Sequence, residues 1–211
     1  TTIDKNDVST DKIEIVNKEN NKVDKLTFMN IPKIENSVFV MVDMQEKLLP
    51  VMHKGEECLK RQQVLLRGAE ALKLPVIISE QYPQGLGNTV QELKALFQPE
   101  WSIVSKTAFS CFGEDLFMEK LKNYPCATNL IISGIESHVC VLQTALNALN
   151  NDFQVIVVAD AVTSRKPADR DTALQLMAQN GIQVMSSESL LFMLLHSASH
   201  PAFKAVSKLI R

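Results

Sequence analysis

Consecutive apolar residues recur along this chain in short runs, and most runs are followed by a stretch of helical pattern. The runs cover residues 38–42, 75–79, 103–104, 130–134, 155–159 and 182–185. A strand that is apolar throughout is buried on both faces, and helices between such strands favour a parallel sheet. With right-handed crossovers, the pattern predicts an α/β fold: a three-layer αβα sandwich around a doubly wound, mainly parallel sheet.

The segments between these runs are predicted to be helical. We expect helices over residues 56–73, 89–97, 114–122, 139–150, 168–180 and 189–196, with a helical tail from residue 201. Gly181 follows one of them, as glycine commonly does after the last turn of a helix. Because there is no internal repeat and the length suits one sizeable core, we predict a single α/β domain over residues 31–211.

Residues 1–30 have a different composition from the rest of the chain. They are polar and rich in Asn and Lys, so they bury too little apolar surface to offset the entropy lost on ordering. We predict a flexible polar N-terminal extension. As an alternative, Ile13, Ile15 and Val16 form an edge strand or contact another subunit.

Charge and cysteine usage narrow the class of partner. The net charge is −2 and the basic residues are scattered, which gives no reason to expect nucleic acid or an anionic membrane as the partner. No apolar run reaches the roughly 20 residues that span a bilayer. The four cysteines lack the spacing of metal ligands and favour reduced thiols. We expect a cytoplasmic protein that acts on a small molecule, with a mitochondrial location left open.

Polar and reactive residues stand where the predicted strands end. They are Asp43, Glu80, Gln81, Lys106, the segment 134–140 and Asp160. Ligands of an open parallel sheet bind beyond the carboxyl ends of its strands, so a carboxylate, an ammonium and the Cys140 thiol are expected to meet there. Taken singly, each has a simpler interpretation: a helix cap, a surface lysine and a buried cysteine.

Four motifs, in this order, resemble those of the isochorismatase-like cysteine hydrolases: VFVMVDMQEKLLP, SEQYPQGLG, KTAFSCF and GIESHVCVLQTALNAL. The resemblance extends from about Ser37 to the C-terminal region. It implies Asp43 as general acid and base, Lys106 as the stabiliser of a thiolate and Cys140 as the nucleophile. It also implies a cis peptide bond between Ile135 and Glu136, and an oxyanion hole formed by the backbone N–H groups of Glu136 and Cys140.

The resemblance further implies hydrolysis of a small amide-type C–N bond through a thioacyl-enzyme. We expect a lowered thiol pKa, because Cys140 would lie in the first turn of a helix, near Lys106. Gln45 could instead begin a helix, the aromatic residues could be core, and His138 could belong to a helix cap. With those alternatives open, the candidate substrate contacts are Gln45, Leu48, Tyr82, Phe109, Phe112 and His138.

The chain departs from two well-known members of this family. Nicotinamidases hold a metal with an Asp and His cluster, whereas the stretch after Ser79 has no histidine, and the four histidines show no HxH or HxxxH spacing. True isochorismatases lack the nucleophilic cysteine. We therefore expect no metal and no cofactor, a similarity to the metal-free isochorismatase domain-containing proteins, and a substrate that the sequence leaves open.

Two other functions remain to be weighed. One is a catalytically silent ligand-binding or scaffolding oligomer that retains the fold. The other is a flavodoxin-type or Rossmann-type cofactor binder, which predicts a glycine-rich loop after the first strand; the sequence there, DMQEKLLPVM, has no glycine. The apolar stretch 190–195 predicts an exposed sticky face, and with it a homo-oligomer such as a dimer or tetramer.

Overall fold

A computed structural model describes residues 31–211 throughout and, before them, only two short strands. These are β1 (Ile15–Val16) and β2 (Val23–Asp24), which pair antiparallel as a separate two-stranded sheet. Apart from these four residues, the predicted flexible extension over residues 1–30 lies outside the described residues, as does Ile13. Pro32–Arg211 form one compact unit.

Six parallel strands form the central sheet of this unit. They are β3 (Ser37–Val42), β4 (Val76–Gln81), β5 (Ser102–Lys106), β6 (Asn129–Ile135), β7 (Gln154–Thr163) and β8 (Gln183–Met185). Their order is β5-β4-β3-β6-β7-β8, and every pairing is parallel. The chain therefore builds outward in one direction from β3 and then returns to build the other side from β6. The predicted doubly wound parallel sheet is confirmed.

Helices cover both faces of the sheet. They are α1 (Gly55–Leu72), α2 (Pro83–Leu86), α3 (Gln91–Lys94), α4 (Asp115–Lys122), α5 (Leu142–Asn150), α6 (Pro167–Gln179), α7 (Ser187–Leu195) and α8 (Phe203–Ile210). One apolar core joins the sheet to α1, α7 and α8, and a second joins its other face to α4, α5 and α6. Burial of each large side chain in these cores contributes about 1.5–3 kcal/mol. Within the described residues, no helix is long and apolar enough to cross a membrane.

The helix predicted over residues 89–97 is mostly wrong, because only the short α3 forms there. Thr89 donates hydrogen bonds from its backbone N–H and its hydroxyl to Glu80 Oε1, at 2.7 and 2.8 Å. It also forms an isolated bridge with Gln45. These contacts hold the start of the segment extended. A buried carboxylate thus overrides the local helical pattern, which sequence periodicity does not register.

The basis for the predicted sticky face is also wrong. Four leucines of α7 are buried in the first core, at 1–2% exposure: Leu190, Leu191, Leu194 and Leu195. Only Phe192 and Met193 of that stretch are substantially exposed. The apolar run is therefore a core-facing helix stripe, and the homo-oligomer stays a prediction without that support.

Candidate active site

Asp43 lies immediately after β3, at the carboxyl end of the central strand, with its side chain fully buried. Its backbone is left-handed, with φ of 52°, a conformation that Asp tolerates better than most residues. Its Oδ1 accepts a hydrogen bond from the Ser79 hydroxyl at 2.7 Å, and its Oδ2 accepts one from Lys106 Nζ at 2.8 Å. The carboxylate is thus fixed by two neighbouring strands.

Lys106 is the last residue of β5, and its side chain is also fully buried. Besides Asp43, its ammonium donates to Gln81 Oε1 at 2.5 Å and to the backbone oxygens of Phe109 and Ala108 at 3.0 and 3.3 Å. Burial alone would lower the pKa of Lys106, but the Asp43 carboxylate and the nearby sulfur atoms raise it above its usual 10.5. The group is therefore a charged ammonium at neutral pH.

Gly134 allows β6 to approach β3 closely beside Asp43. Its φ is 113°, and a Cβ at this position would lie 2.0 Å from the backbone oxygen of Val42. Only glycine fits such a contact. One residue further on, the peptide bond between Ile135 and Glu136 is cis, as the family resemblance implies. The chain then enters a one-turn π-helix, Ser137–Val141, which runs directly into α5 and carries Cys140.

The Cys140 thiol lies close enough to the Asp43 carboxylate and the Lys106 ammonium for both to shift its pKa, and the residue is 7% exposed. It donates a long hydrogen bond to Gln81 Oε1 at 3.9 Å. Burial and, to a smaller extent, the Asp43 carboxylate raise the pKa of Cys140 to about 12, against the opposing effect of Lys106. The prediction of a lowered thiol pKa is therefore wrong for the resting protein, because it weighed the ammonium and the helix start without burial and the carboxylate.

A second thiol, Cys111, lies nearby but is fully buried. Burial and, to a smaller extent, the Asp43 carboxylate raise its pKa to about 11, against the opposing effects of Lys106 and of hydrogen bonds with Thr144 and Ser79. Its backbone N–H donates to Thr144 Oγ1 at 3.0 Å. Cys111 therefore packs as an inert core thiol, whereas Cys140 keeps a small exposed fraction of 7%. All four cysteines are free thiols.

Gln81 is the residue of this cluster that the sequence did not assign to the site. It ends β4, and its side-chain oxygen contacts both the ammonium and the thiol. The sequence did place it at a strand end beside the catalytic candidates. The sequence does not show which way the Gln81 amide points, because that depends on distances across three strands.

Among the predicted substrate contacts, Gln45 is fully buried and its amide holds the backbone of the next loop. It donates to the backbone oxygens of Gln81 and Gly87, and accepts from the backbone N–H of Gln81. Phe112 packs against Phe117 and Phe153, with ring centroids 5.3 and 6.3 Å apart. Both residues therefore stabilise the fold around the site, and their role as substrate contacts stays a prediction.

Leu48, Tyr82 and Phe109 divide between core and surface. Leu48 is partly buried and packs against the first core. Tyr82 and Phe109 are 53% and 55% exposed, and both adjoin Lys106 through the backbone: the Tyr82 N–H donates to the Lys106 oxygen, and the Phe109 oxygen accepts from Nζ. Tyr82 and Phe109 are therefore exposed aromatic residues whose backbones contact Lys106.

His138 belongs to a polar cluster in the turn before Cys140. Its Nδ1 lies 2.9 Å from Ser164 Oγ, and its Nε2 lies 3.7 Å from the Glu136 carboxylate. Arg165 grips the same carboxylate through both NH2 and Nε, at 2.9 and 3.3 Å. This cluster fixes the segment that precedes Cys140, and the Arg165 guanidinium, 63% exposed, presents a positive charge outside it.

The described residues include no cluster of three or more His, Cys, Asp and Glu side chains that could hold a metal. A cavity of about 810 Å³ lies beyond the end of β7, between the first turns of α1 and α6 and the end of α8. Neither Asp43, Lys106 nor Cys140 lines it. The reactive groups that the structure brings close together are the Asp43 carboxylate, the Lys106 ammonium and the Cys140 thiol.

Known proteins are similar to this chain in sequence and in fold. The protein-family model for the isochorismatase domain matches residues 37–189. Isochorismatase domain-containing protein 1 of Danio rerio is 39% identical over 175 residues, which are 83% of this chain and 61% of that protein. The chain thus spans less than two thirds of the length of that relative.

Solved structures agree. The MAR1 ribonuclease of Caenorhabditis elegans superposes with a TM-score of 0.80 at 38% identity, covering 85% of this chain and 91% of that one. The ycaC gene product of Escherichia coli, described as an octameric hydrolase of unknown specificity, superposes with a TM-score of 0.79 at 25% identity, covering 85% and 88%. With the matched motifs, the sheet order and these comparisons together, the chain belongs to the isochorismatase family.

Proposed function

We propose that this chain is a cysteine hydrolase that cleaves a small amide-type C–N bond through a thioacyl-enzyme. The observation that carries the proposal is the buried contact between the Asp43 carboxylate and the Lys106 ammonium, with a barely exposed thiol against them. A buried ion pair is weak evidence for stability, since dehydration of both charges offsets their attraction. Strongly perturbed titratable groups at one opening are instead typical of functional sites.

Acylation begins with Cys140 as a neutral thiol. Asp43 accepts the thiol proton while the sulfur attacks the substrate carbonyl carbon, so that an S–C bond forms and the carbonyl oxygen becomes negative. The backbone N–H groups of Glu136 and Cys140 are our candidates to stabilise that oxyanion, at about 3–4 kcal/mol for each donor. The C–N bond then breaks as the nitrogen takes the proton from Asp43 and leaves as an amine or ammonia.

Deacylation repeats the same proton transfers with water. Asp43 accepts a proton from a water molecule whose oxygen attacks the thioester carbon. The C–S bond breaks, the sulfur regains its proton, and the product leaves as a carboxylic acid. Throughout, Lys106 holds Asp43 in place and supplies the positive charge that makes a transient thiolate less costly in this buried site.

The resting protonation state restricts when the sulfur is reactive. With a thiol pKa of about 12, few molecules carry a thiolate at neutral pH. Proton transfer to Asp43 must therefore accompany attack on a bound substrate. This arrangement protects the sulfur from adventitious electrophiles and predicts weak background reactivity.

The test is ammonia or amine release from a panel of small amides and imides. We expect the wild-type protein to hydrolyse at least one member, Cys140→Ala to lose that activity, and Cys126→Ala to retain it. Cys126 is the matched control because it is the exposed cysteine. Equal activity in wild type and Cys140→Ala would refute the nucleophile. No activity in wild type on any member would favour the silent scaffold.

RNA belongs in the same panel, because the C. elegans relative is described as a ribonuclease. The net charge of −2 and the thiol centre favour a small amide over a polyanion. RNA cleavage that survives in Cys140→Ala would assign a different site.

We also propose a homo-oligomer, supported by the octameric E. coli relative. Size-exclusion chromatography with light scattering tests it. A mass of two or more chains of 23.5 kDa is expected, and a single-chain mass at micromolar concentration would refute it.

A further inference from the structure

Gln81 lies outside the three proposed catalytic residues, yet both ends of its amide are fixed. Its Nε2 donates to the backbone oxygen of Thr107 at 2.8 Å, and its Oε1 accepts from Lys106 Nζ at 2.5 Å. The Gln81 backbone is held in turn by Gln45, which bonds both its N–H and its carbonyl. The oxygen of the Gln81 amide must therefore face the ammonium, because an amide NH2 in that position would place one hydrogen-bond donor against another.

The same oxygen is the acceptor for the Cys140 thiol, at 3.9 Å. A lysine ammonium has three protons, and oxygen acceptors already surround this one: Asp43 Oδ2, Gln81 Oε1 and the backbone oxygens of Phe109 and Ala108. A thiolate on Cys140 would gain a full hydrogen bond from Lys106 when Gln81 Oε1 gives one up. The amide oxygen and the sulfur thus compete for one ammonium proton.

We propose that Gln81 is a positioning residue that keeps the resting Cys140 protonated and, when substrate enters, frees one N–H of Lys106 to hydrogen-bond the sulfur. This role rests on the function proposed above. In the resting site the amide oxygen accepts both the S–H and one N–H of Lys106. When the substrate displaces the amide oxygen from these two groups, Asp43 takes the thiol proton and the freed N–H of Lys106 turns to the developing thiolate. Gln81 therefore couples substrate entry to thiol activation.

Alkylation of the resting protein tests this coupling without any substrate. In a Cys126→Ser parent, the Cys140 thiolate displaces iodide from iodoacetamide, and mass spectrometry follows the peptide that contains Cys140 between pH 7 and 10. We expect Gln81→Leu to accelerate this alkylation about tenfold at pH 8, as one unit of thiol pKa would. Gln81→Glu should slow it, because a second carboxylate opposes the thiolate. Gln143→Leu, an exposed glutamine on α5, is the matched control and should change nothing.

The buried thiols Cys58 and Cys111 separate this effect from unfolding, since loss of structure would accelerate all three peptides together. If Gln81→Leu accelerates alkylation of all three peptides, Gln81→Asn takes its place in the alkylation test, because it withdraws the amide oxygen by the length of one methylene. Turnover in the amide panel should fall for both neutral variants although the resting thiol reacts faster. Cys140 alkylation equal to or slower than the parent in a folded variant would overturn the inference. The proposed function is judged separately, by the loss of turnover in Cys140→Ala.

Discussion

Removal of the Lys106 ammonium should destabilise the protein strongly, and additional removal of the Asp43 charge should restore part of the lost stability. Lys106→Met keeps the length of the side chain but leaves the fully buried Asp43 carboxylate without its counter-ion, and leaves two backbone oxygens without a donor. Stranding one charge of a buried pair costs about 3–5 kcal/mol. For a chain of this size, a loss of that magnitude lowers Tm by about 6–20 °C.

The double variant Lys106→Met, Asp43→Asn separates charge from packing. With both charges gone, no bare carboxylate remains, and we expect it to regain at least about 2 kcal/mol over Lys106→Met, since contacting residues couple by up to about 3 kcal/mol. The single variant should also recover part of its stability as the pH falls, because protonation removes the stranded charge. Lys60→Met, an exposed lysine on α1, is the control.

The assay is urea unfolding at pH 7.5 and pH 5.5, with the four free energies of unfolding compared as a cycle. Equal slopes with denaturant concentration are needed for the comparison. If Lys106→Met lies within about 1 kcal/mol of wild type, or if the two substitutions simply add, the ammonium does not neutralise a buried carboxylate and the reasoning fails.

Three further outcomes follow from the same contacts. Asp43→Asn should lower the pKa of Cys140 from about 12, because it removes a carboxylate that raises this pKa. Alkylation of Cys140 at pH 8 should then become faster while turnover falls by a factor of about 10²–10⁴. An unchanged rate of Cys140 alkylation would contradict this. Gly134→Ala should cost at least about 2 kcal/mol in unfolding free energy, because its φ of 113° and the contact at 2.0 Å exclude a Cβ; a change below about 0.5 kcal/mol would refute the close approach. Two backbone N–H groups lower the pKa of the Glu114 carboxyl, so its contribution to stability is present above the unfolded-state pKa and is lost as the pH falls through the folded-state pKa. Glu114→Gln should therefore reduce the loss of unfolding free energy at acidic pH, measured between pH 3 and 7, and an unchanged loss would show that the contact is not made.

The sheet and the three reactive residues could be predicted because they depend on patterns along the chain. Fully apolar strands specify a parallel sheet, and a parallel sheet brings strand ends together. Asp43, Lys106 and Cys140 each stand at such an end, so topology alone places them at one edge. The family motifs then supplied their proposed roles, and the cis bond before Glu136 matched as well.

The features that escaped prediction depend on distances between chain segments. The direction of the Cys140 pKa shift is set by how deeply the sulfur is buried and how near Asp43 lies, and neither is written in the spacing. The helix α3 is short because Thr89 donates two hydrogen bonds to the Glu80 carboxylate. Likewise, Gln45 looked like a pocket residue, whereas its amide is used entirely by backbone groups of another loop.

Partitioning of an acyl intermediate tests the central claim most directly, namely that the sulfur of Cys140 carries the substrate's acyl group. Any amide that the protein hydrolyses is turned over with and without hydroxylamine, and quenched samples are analysed for the mass of the Cys140 peptide. The account predicts that hydroxamate replaces acid while ammonia release continues at least as fast, and that the peptide gains the mass of the acyl group. Acid as the sole acyl product at every hydroxylamine concentration, with the peptide unmodified at all times, would contradict it.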